Sequence, residues 1–222
     1  MPDMLDLGLT IRFLAELSQN NNKAWFDRHR LDYEAARDAF YAFIDCLIDE
    51  FRTSDHLEGL SARDCIARIY RDIRFSKNKS PYKSNMGALV APGGWKGGRN
   101  GYYISIEPGN HSMVAGGLYA PTPEQLNRFR QVIAEDATEF HEISRQEDLI
   151  EAFGGVEGER LKTVPKGYDP AHPEIDLLRL KQILVLHRFM DQEVLVGDFQ
   201  SKVIFACRAM RPFLDYLDEV LD

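Results

Sequence analysis

The chain has 222 residues, 44% of them apolar and 28% charged, and its net charge is −8 from 27 basic and 35 acidic side chains. A chain of this length and composition can bury a core of its own, which excludes collagen, low-complexity and disordered classes. No run approaches the ~18 uncharged apolar residues of a membrane span, and so acidic a chain is a poor candidate for non-specific nucleic-acid binding.

The first ten residues, MPDMLDLGLT, have no basic region and carry two aspartates; no secretory leader is expected. Ile11, Phe13, Leu14 and Leu17 predict a short helix. Asn20-Asn21-Asn22 interrupts it, and Asn22 suits the N-cap of a second short helix carrying Trp25 and Phe26. From about Leu31 to Phe51, apolar residues recur at helical spacing (Tyr33, Ala36, Phe40, Phe43, Ile44, Leu47, Phe51), so one face of a longer helix is buried.

From Cys65 to Tyr119 the period changes to two. Strands are predicted over Cys65–Phe75, Met86–Ala91, Tyr102–Glu107 and Ser112–Tyr119, separated by loops too short for crossover helices, hence antiparallel. Thr122-Pro123-Glu124-Gln125 starts a helix, with threonine at the N-cap and proline first inside. A second helix is expected over Ala137–Ser144. Ile183–Met190 reads as a fifth strand or a buried helical turn. The last helix runs from about Asp198 to Leu221, with a kink expected at Pro212.

Helices, then strands, then helices make an α+β fold: an antiparallel sheet of about four to five strands flanked by N- and C-terminal helices. Residues 1–222 read as a single domain. Cys46, Cys65 and Cys207 are isolated in apolar surroundings, as buried free thiols are, and point to a reduced, cytoplasmic protein.

The charge is unevenly distributed. Between Arg63 and Arg99 nine basic residues face only Asp64 and Asp72, a local net of +7 that leaves −15 for the remainder. At the centre lies Arg68-Ile-Tyr-Arg-Asp-Ile-Arg-Phe-Ser-Lys-Asn-Lys-Ser-Pro-Tyr-Lys83. On a strand, Arg68, Tyr70, Asp72 and Arg74 would share one face, about 6.6 Å apart, with Asp72 orienting the guanidinium groups on either side. Arginines so presented form a fork for phosphate or carboxylate. Arg68, Arg71 and Arg74 would clamp an anion, while Lys77, Lys79 and Lys83 would attract and neutralise it. Ser76, Ser80 and Tyr82 add hydroxyls on a loop that Pro81 constrains.

If the strand over Tyr102–Glu107 pairs with this one, Tyr103 and Glu107 meet the arginine face. Glu107 would then act as a salt-bridge partner or a general base. The glycine-rich loop Gly93–Gly101 could close over the anion with its backbone amides. Pairing of these cations with the protein's own acids is the structural alternative.

The block Arg71-Asp72-Ile73-Arg74-Phe75-Ser76-Lys77-Asn78-Lys79-Ser80-Pro81-Tyr82-Lys83 resembles the signature of a widespread bacterial and fungal family defined by a domain of unknown function. Asn20–Phe26, Gly101-Tyr102-Tyr103, Gly116–Pro121, Pro165–Tyr168 and His172-Pro173 extend the resemblance over nearly the whole chain. It implies one conserved domain and supplies no activity, cofactor or partner. Family members often carry aspartate where this chain has Asn78, so no carboxylate role is carried over to that position.

Other motifs fail on spacing. Ser76–Lys79 and Ser80–Lys83 spell S-x-x-K, but Pro81 breaks the helix that a serine–lysine pair needs, and Lys162-Thr163 is followed by Val164 instead of glycine. Neither a P-loop nor G-x-G-x-x-G occurs. The six histidines have no short metal-ligand spacing, so neither metal nor cofactor is expected. His172 is the histidine to watch, on a proline-rich loop, and His187 reads as a core histidine.

The leading expectation is binding, and conceivably turnover, of an anionic, phosphate-bearing small molecule at the basic segment. The alternatives are a protein-interaction module using the same segment, single-stranded nucleic-acid binding with stacking aromatics, and metal-dependent phosphodiester cleavage. No membrane association is expected, and the oligomeric state is left open.

Overall fold

Apolar spacing in the first fifty residues builds a helical layer. In the computed structural model, which describes residues 7–221, α1 (Gly8–Gln19), α2 (Lys23–Arg28) and α3 (Arg30–Phe51) follow in close succession. Asn22 caps α2 as expected, its side chain accepting the Trp25 N–H at 3.0 Å. Ala36, Phe40, Phe43, Ile44, Leu47 and Ile48 of α3 are all buried, and α1 packs along this helix. The leader reading of the first residues lies largely outside the described residues.

A short helix absent from the sequence reading, α4 (Ala62–Cys65), comes next. Asp64 anchors its start by accepting from the N–H and hydroxyl of Ser61. These bonds hold the Asp64 carboxyl below its ordinary range. Burial pushes the Cys65 thiol up to about 12, leaving it protonated and unreactive at neutral pH.

Four strands form one antiparallel sheet in the order β1-β2-β3-β4: β1 (Met86–Val90), β2 (Tyr102–Ile106), β3 (Ser112–Leu118) and β4 (Ile183–Phe189). Each begins at its predicted residue and ends one residue early. The β1–β2 register sets Met86 opposite Ile106, Ala88 opposite Ile104 and Val90 opposite Tyr102, and these six buried residues make the core face that meets α3. Tyr102 donates its hydroxyl to the buried Asp55.

Between β3 and β4 the chain forms α5 (Pro123–Glu135), α6 (Thr138–Ser144), α7 (Glu147–Phe153) and α8 (Ile175–Leu178), and α9 (Asp191–Val194) and α10 (Phe199–Leu221) follow β4. The capping box at α5 is present: Thr122 accepts from the Gln125 N–H at 3.2 Å, and Gln125 accepts from the Thr122 N–H at 2.8 Å. Pro212 lies inside α10, which continues through it. Arg130 is buried and donates to the carbonyls of Leu178 and Leu180 at 2.8 and 3.0 Å. His172 accepts the Glu174 N–H at 3.1 Å, a local structural role just ahead of α8.

The chain divides into two compact units. One holds the residues up to Val114 together with Arg188–Ile204, and the other Ala115–His187 with the residues from Phe205 onward. The basic segment belongs wholly to the first. Among the described residues, no helix is long and apolar enough to cross a membrane.

The strand predicted over Cys65–Phe75 does not form. The chain there touches β1 once, through the Ile66–Ala88 bridge, and then pairs with itself at Tyr70–Tyr82. Two backbone bonds frame that second bridge, Arg71 N–H to Pro81 O at 2.9 Å and Lys83 N–H to Ile69 O at 2.8 Å. Asp72 explains why pairing stops. Its carboxylate takes the Arg74 backbone N–H at 3.2 Å, offering the backbone a local partner in place of a ladder. The next turn, Ser76 N–H to Ile73 O, completes the reversal.

The glycine-rich loop also differs from expectation. It packs tightly on its own backbone around a single 3-10 turn, Gly94–Lys96. A Cβ on Gly97 would lie 1.7 Å from the Pro92 carbonyl oxygen, and one on Gly101 2.4 Å from the Val90 carbonyl oxygen.

Candidate functional site

The self-paired segment encloses one side of a cleft of about 430 Å³. Its floor is aromatic but not exposed. Tyr82 stacks on Phe26 at 4.0 Å between centroids, with 10° between the rings, and only 3% of Tyr82 is accessible. Burial pushes the Tyr82 phenol up. Asn21, at the junction of α1 and α2, grips the backbone of Tyr82 at both N–H and C=O.

Arg71 and Lys83 bring positive charge to the cleft. The guanidinium of Arg71 is steadied by two long bonds, to the Ser80 carbonyl and the Ser76 hydroxyl, each at 3.4 Å. Lys83 is half-buried. Removal from water, and then the positive charge of Arg68, lower its ammonium pKa from the ordinary 10.5. Among the described residues nothing accepts a hydrogen bond from its Nζ.

Neutral groups complete the lining. Ser18 comes from α1, and Asn78 and Ser80 from the turn; Ser84 and Asn85 lead into β1. Asn78 accepts the Ser80 N–H at 2.9 Å and so shapes the turn. Asn85 donates to the Ser105 hydroxyl at 2.7 Å and to the Tyr103 hydroxyl at 3.4 Å. Ser84 donates to Glu107 at 2.6 Å. Among the described residues, no carboxylate lines the cleft.

Of the residues expected to bind, Arg71, Tyr82 and Lys83 meet here. Ser76 supports Arg71 from behind. Tyr103 and Glu107 reach the site only through Asn85 and Ser84, because β2 pairs with β1 and not with the arginine segment. Arg74 lies outside the cleft lining: its guanidinium makes a two-pronged pair with Asp72, at 3.0 and 2.6 Å, on the exposed surface. That pairing lowers the Asp72 carboxyl and raises Arg74. Lys79 donates to the Ile73 carbonyl at 3.0 Å and ties the turn together. Arg68 and Lys77 are exposed; Arg68 acts on Lys83 through its charge alone.

The sequence reading missed Ser18, Asn21, Asn78, Ser84 and Asn85. Asn21 lies in the Asn20–Phe26 block that carried the resemblance, and that block was the available signal. Among the described residues, no group of three or more His, Cys, Asp or Glu side chains is placed to hold a metal ion.

A family profile described as a conserved hypothetical protein, DUF2461, matches residues 9–216. The chain belongs to this family. Every residue lining the cleft falls within the DUF2461 match. No match is found among curated proteins or among solved structures.

Proposed function

We propose that the cleft between Asn21 and Asn85 binds an anionic, phosphate-bearing small molecule. The observation that carries this reading is a cation pair without a counter-charge: Arg71 and Lys83 both line a cleft from which carboxylates are absent. An ammonium held partly out of water with no acceptor is costly, and an anion relieves that cost. The guanidinium supplies further N–H donors in a planar fork suited to phosphate. The volume lies within the ~300–1,000 Å³ of small-molecule sites.

Calorimetric titration with inorganic phosphate and with phosphate esters tests the reading. Binding that weakens at least tenfold in Lys83→Met and Arg71→Gln, and hardly changes in Arg74→Ala, is expected. Equal loss in all three variants, or no binding by any phosphate compound, would defeat it.

A second reading rests on Phe75, which is 96% exposed beside Arg74 at the tip of the turn. An aromatic ring presented among cations is a contact for an acidic partner surface. Salt-sensitive association that Phe75→Ser abolishes, with phosphate binding intact, would favour it.

A further inference from the structure

We infer that the ligand of this cleft is a sugar phosphate: a polyhydroxylated body carrying one phosphate group. The inference rests on the phosphate reading above and goes beyond it by naming what the phosphate is attached to. The phosphoryl group of a monoester at full ionisation accepts hydrogen bonds and donates none, so a site made for that group alone needs donors only. Arg71 and Lys83 are donors only. The remaining lining is different.

Asn85 uses its amide N–H groups on Ser105 and Tyr103, which leaves its Oδ1 as an acceptor. Asn78 is the converse: its Oδ1 takes the Ser80 N–H, leaving its amide nitrogen to donate. The hydroxyl of Ser80 does either. The lining thus holds both acceptors and donors beside its two cations, and that mixture is satisfied by hydroxyl groups, each of which gives one hydrogen bond and takes others.

The same lining disfavours a nucleotide. A base needs an open ring face or an apolar slot. The one aromatic residue of the lining, Tyr82, spends its face on Phe26 and is 3% exposed. Among the described residues no aliphatic side chain lines the cleft, so a lipid chain finds no apolar wall there either.

The experiment compares four probes on the full chain by calorimetry: inorganic phosphate, glucose 6-phosphate, adenosine monophosphate and glucose. Glucose 6-phosphate is expected to bind at least tenfold more tightly than inorganic phosphate and than adenosine monophosphate, with glucose weakest. Ser80→Ala should narrow the gap between glucose 6-phosphate and inorganic phosphate. Circular dichroism shows that the variant is folded. Equal affinity for inorganic phosphate and glucose 6-phosphate overturns the sugar assignment and spares the phosphate reading. Tighter binding of adenosine monophosphate overturns it in favour of a nucleotide. Failure of all phosphate probes removes the phosphate reading, and the sugar assignment with it.

Discussion

Asn21 holds the main chain of Tyr82 at two points, donating to its carbonyl and accepting from its N–H, both at 3.1 Å across 61 positions of sequence. A side-chain amide here does the work of a neighbouring strand, presenting one donor and one acceptor to backbone that has no ladder of its own. Asn21→Ala should therefore destabilise the protein by about 1–3 kcal/mol, the cost of leaving partly buried backbone groups unpaired. Urea denaturation followed by circular dichroism measures it, and a change within about 0.5 kcal/mol would show that water replaces the amide without penalty.

Lys83 should trade stability against binding. Its depressed pKa means that, at neutral pH, charge on this ammonium opposes folding. The sign follows from linkage. In the window between the lowered folded value and 10.5, the unfolded chain holds more protons than the folded one, so this group makes stability rise with pH there. Below that window its unfavourable contribution is complete. Lys83→Met is expected to raise the melting temperature at pH 7 while weakening phosphate binding. A fall in melting temperature would mean that the lysine has a partner worth more than its desolvation.

Arg74 and Arg71 provide an internal control. They are three residues apart and chemically identical, yet Arg74 is committed to Asp72 on the surface whereas Arg71 lines the cleft. Phosphate affinity should drop at least tenfold in Arg71→Gln and less than twofold in Arg74→Ala. The reverse order would relocate the site to the outer surface of the turn.

Tyr102 tests the core. Its phenol donates to Asp55, and both side chains are buried. Tyr102→Phe removes that donor with almost no change of shape and should cost about 1–3 kcal/mol in thermal or urea unfolding. An unchanged midpoint would mean that the other contacts of Asp55 suffice.

The regular elements were legible because their signals are local. Thr122 and Gln125 lie three residues apart and satisfy each other; β1 to β4 are apolar runs between breakers, and the antiparallel course of β1 to β3 follows from short connections. The basic segment was misread because alternation says only which residues are apolar. Ile69 is buried, but Phe75, which strict alternation would put on the same face, is 96% exposed. The difference lies in Asp72, whose side chain draws the backbone into a turn. The site was half legible. Arg71, Tyr82 and Lys83 belong to one block of sequence, while Ser18 and Asn21 join them only through folding. Nor could charge counting tell an arginine paired within its own turn from one facing a cleft.

The glycine-rich loop makes a statement about inheritance. Gly97 has an ordinary φ of −72°, and its need for glycine is purely spatial, because any side chain would strike the Pro92 carbonyl. Gly98 is the opposite case, with φ at +71° and nothing within 4 Å of a hypothetical Cβ. Drift among related chains should therefore admit asparagine or aspartate at the second position, which tolerate that backbone, and nothing at the first. Adjacent identical letters in this chain are thus under unlike prohibitions, one set by volume and one by torsion.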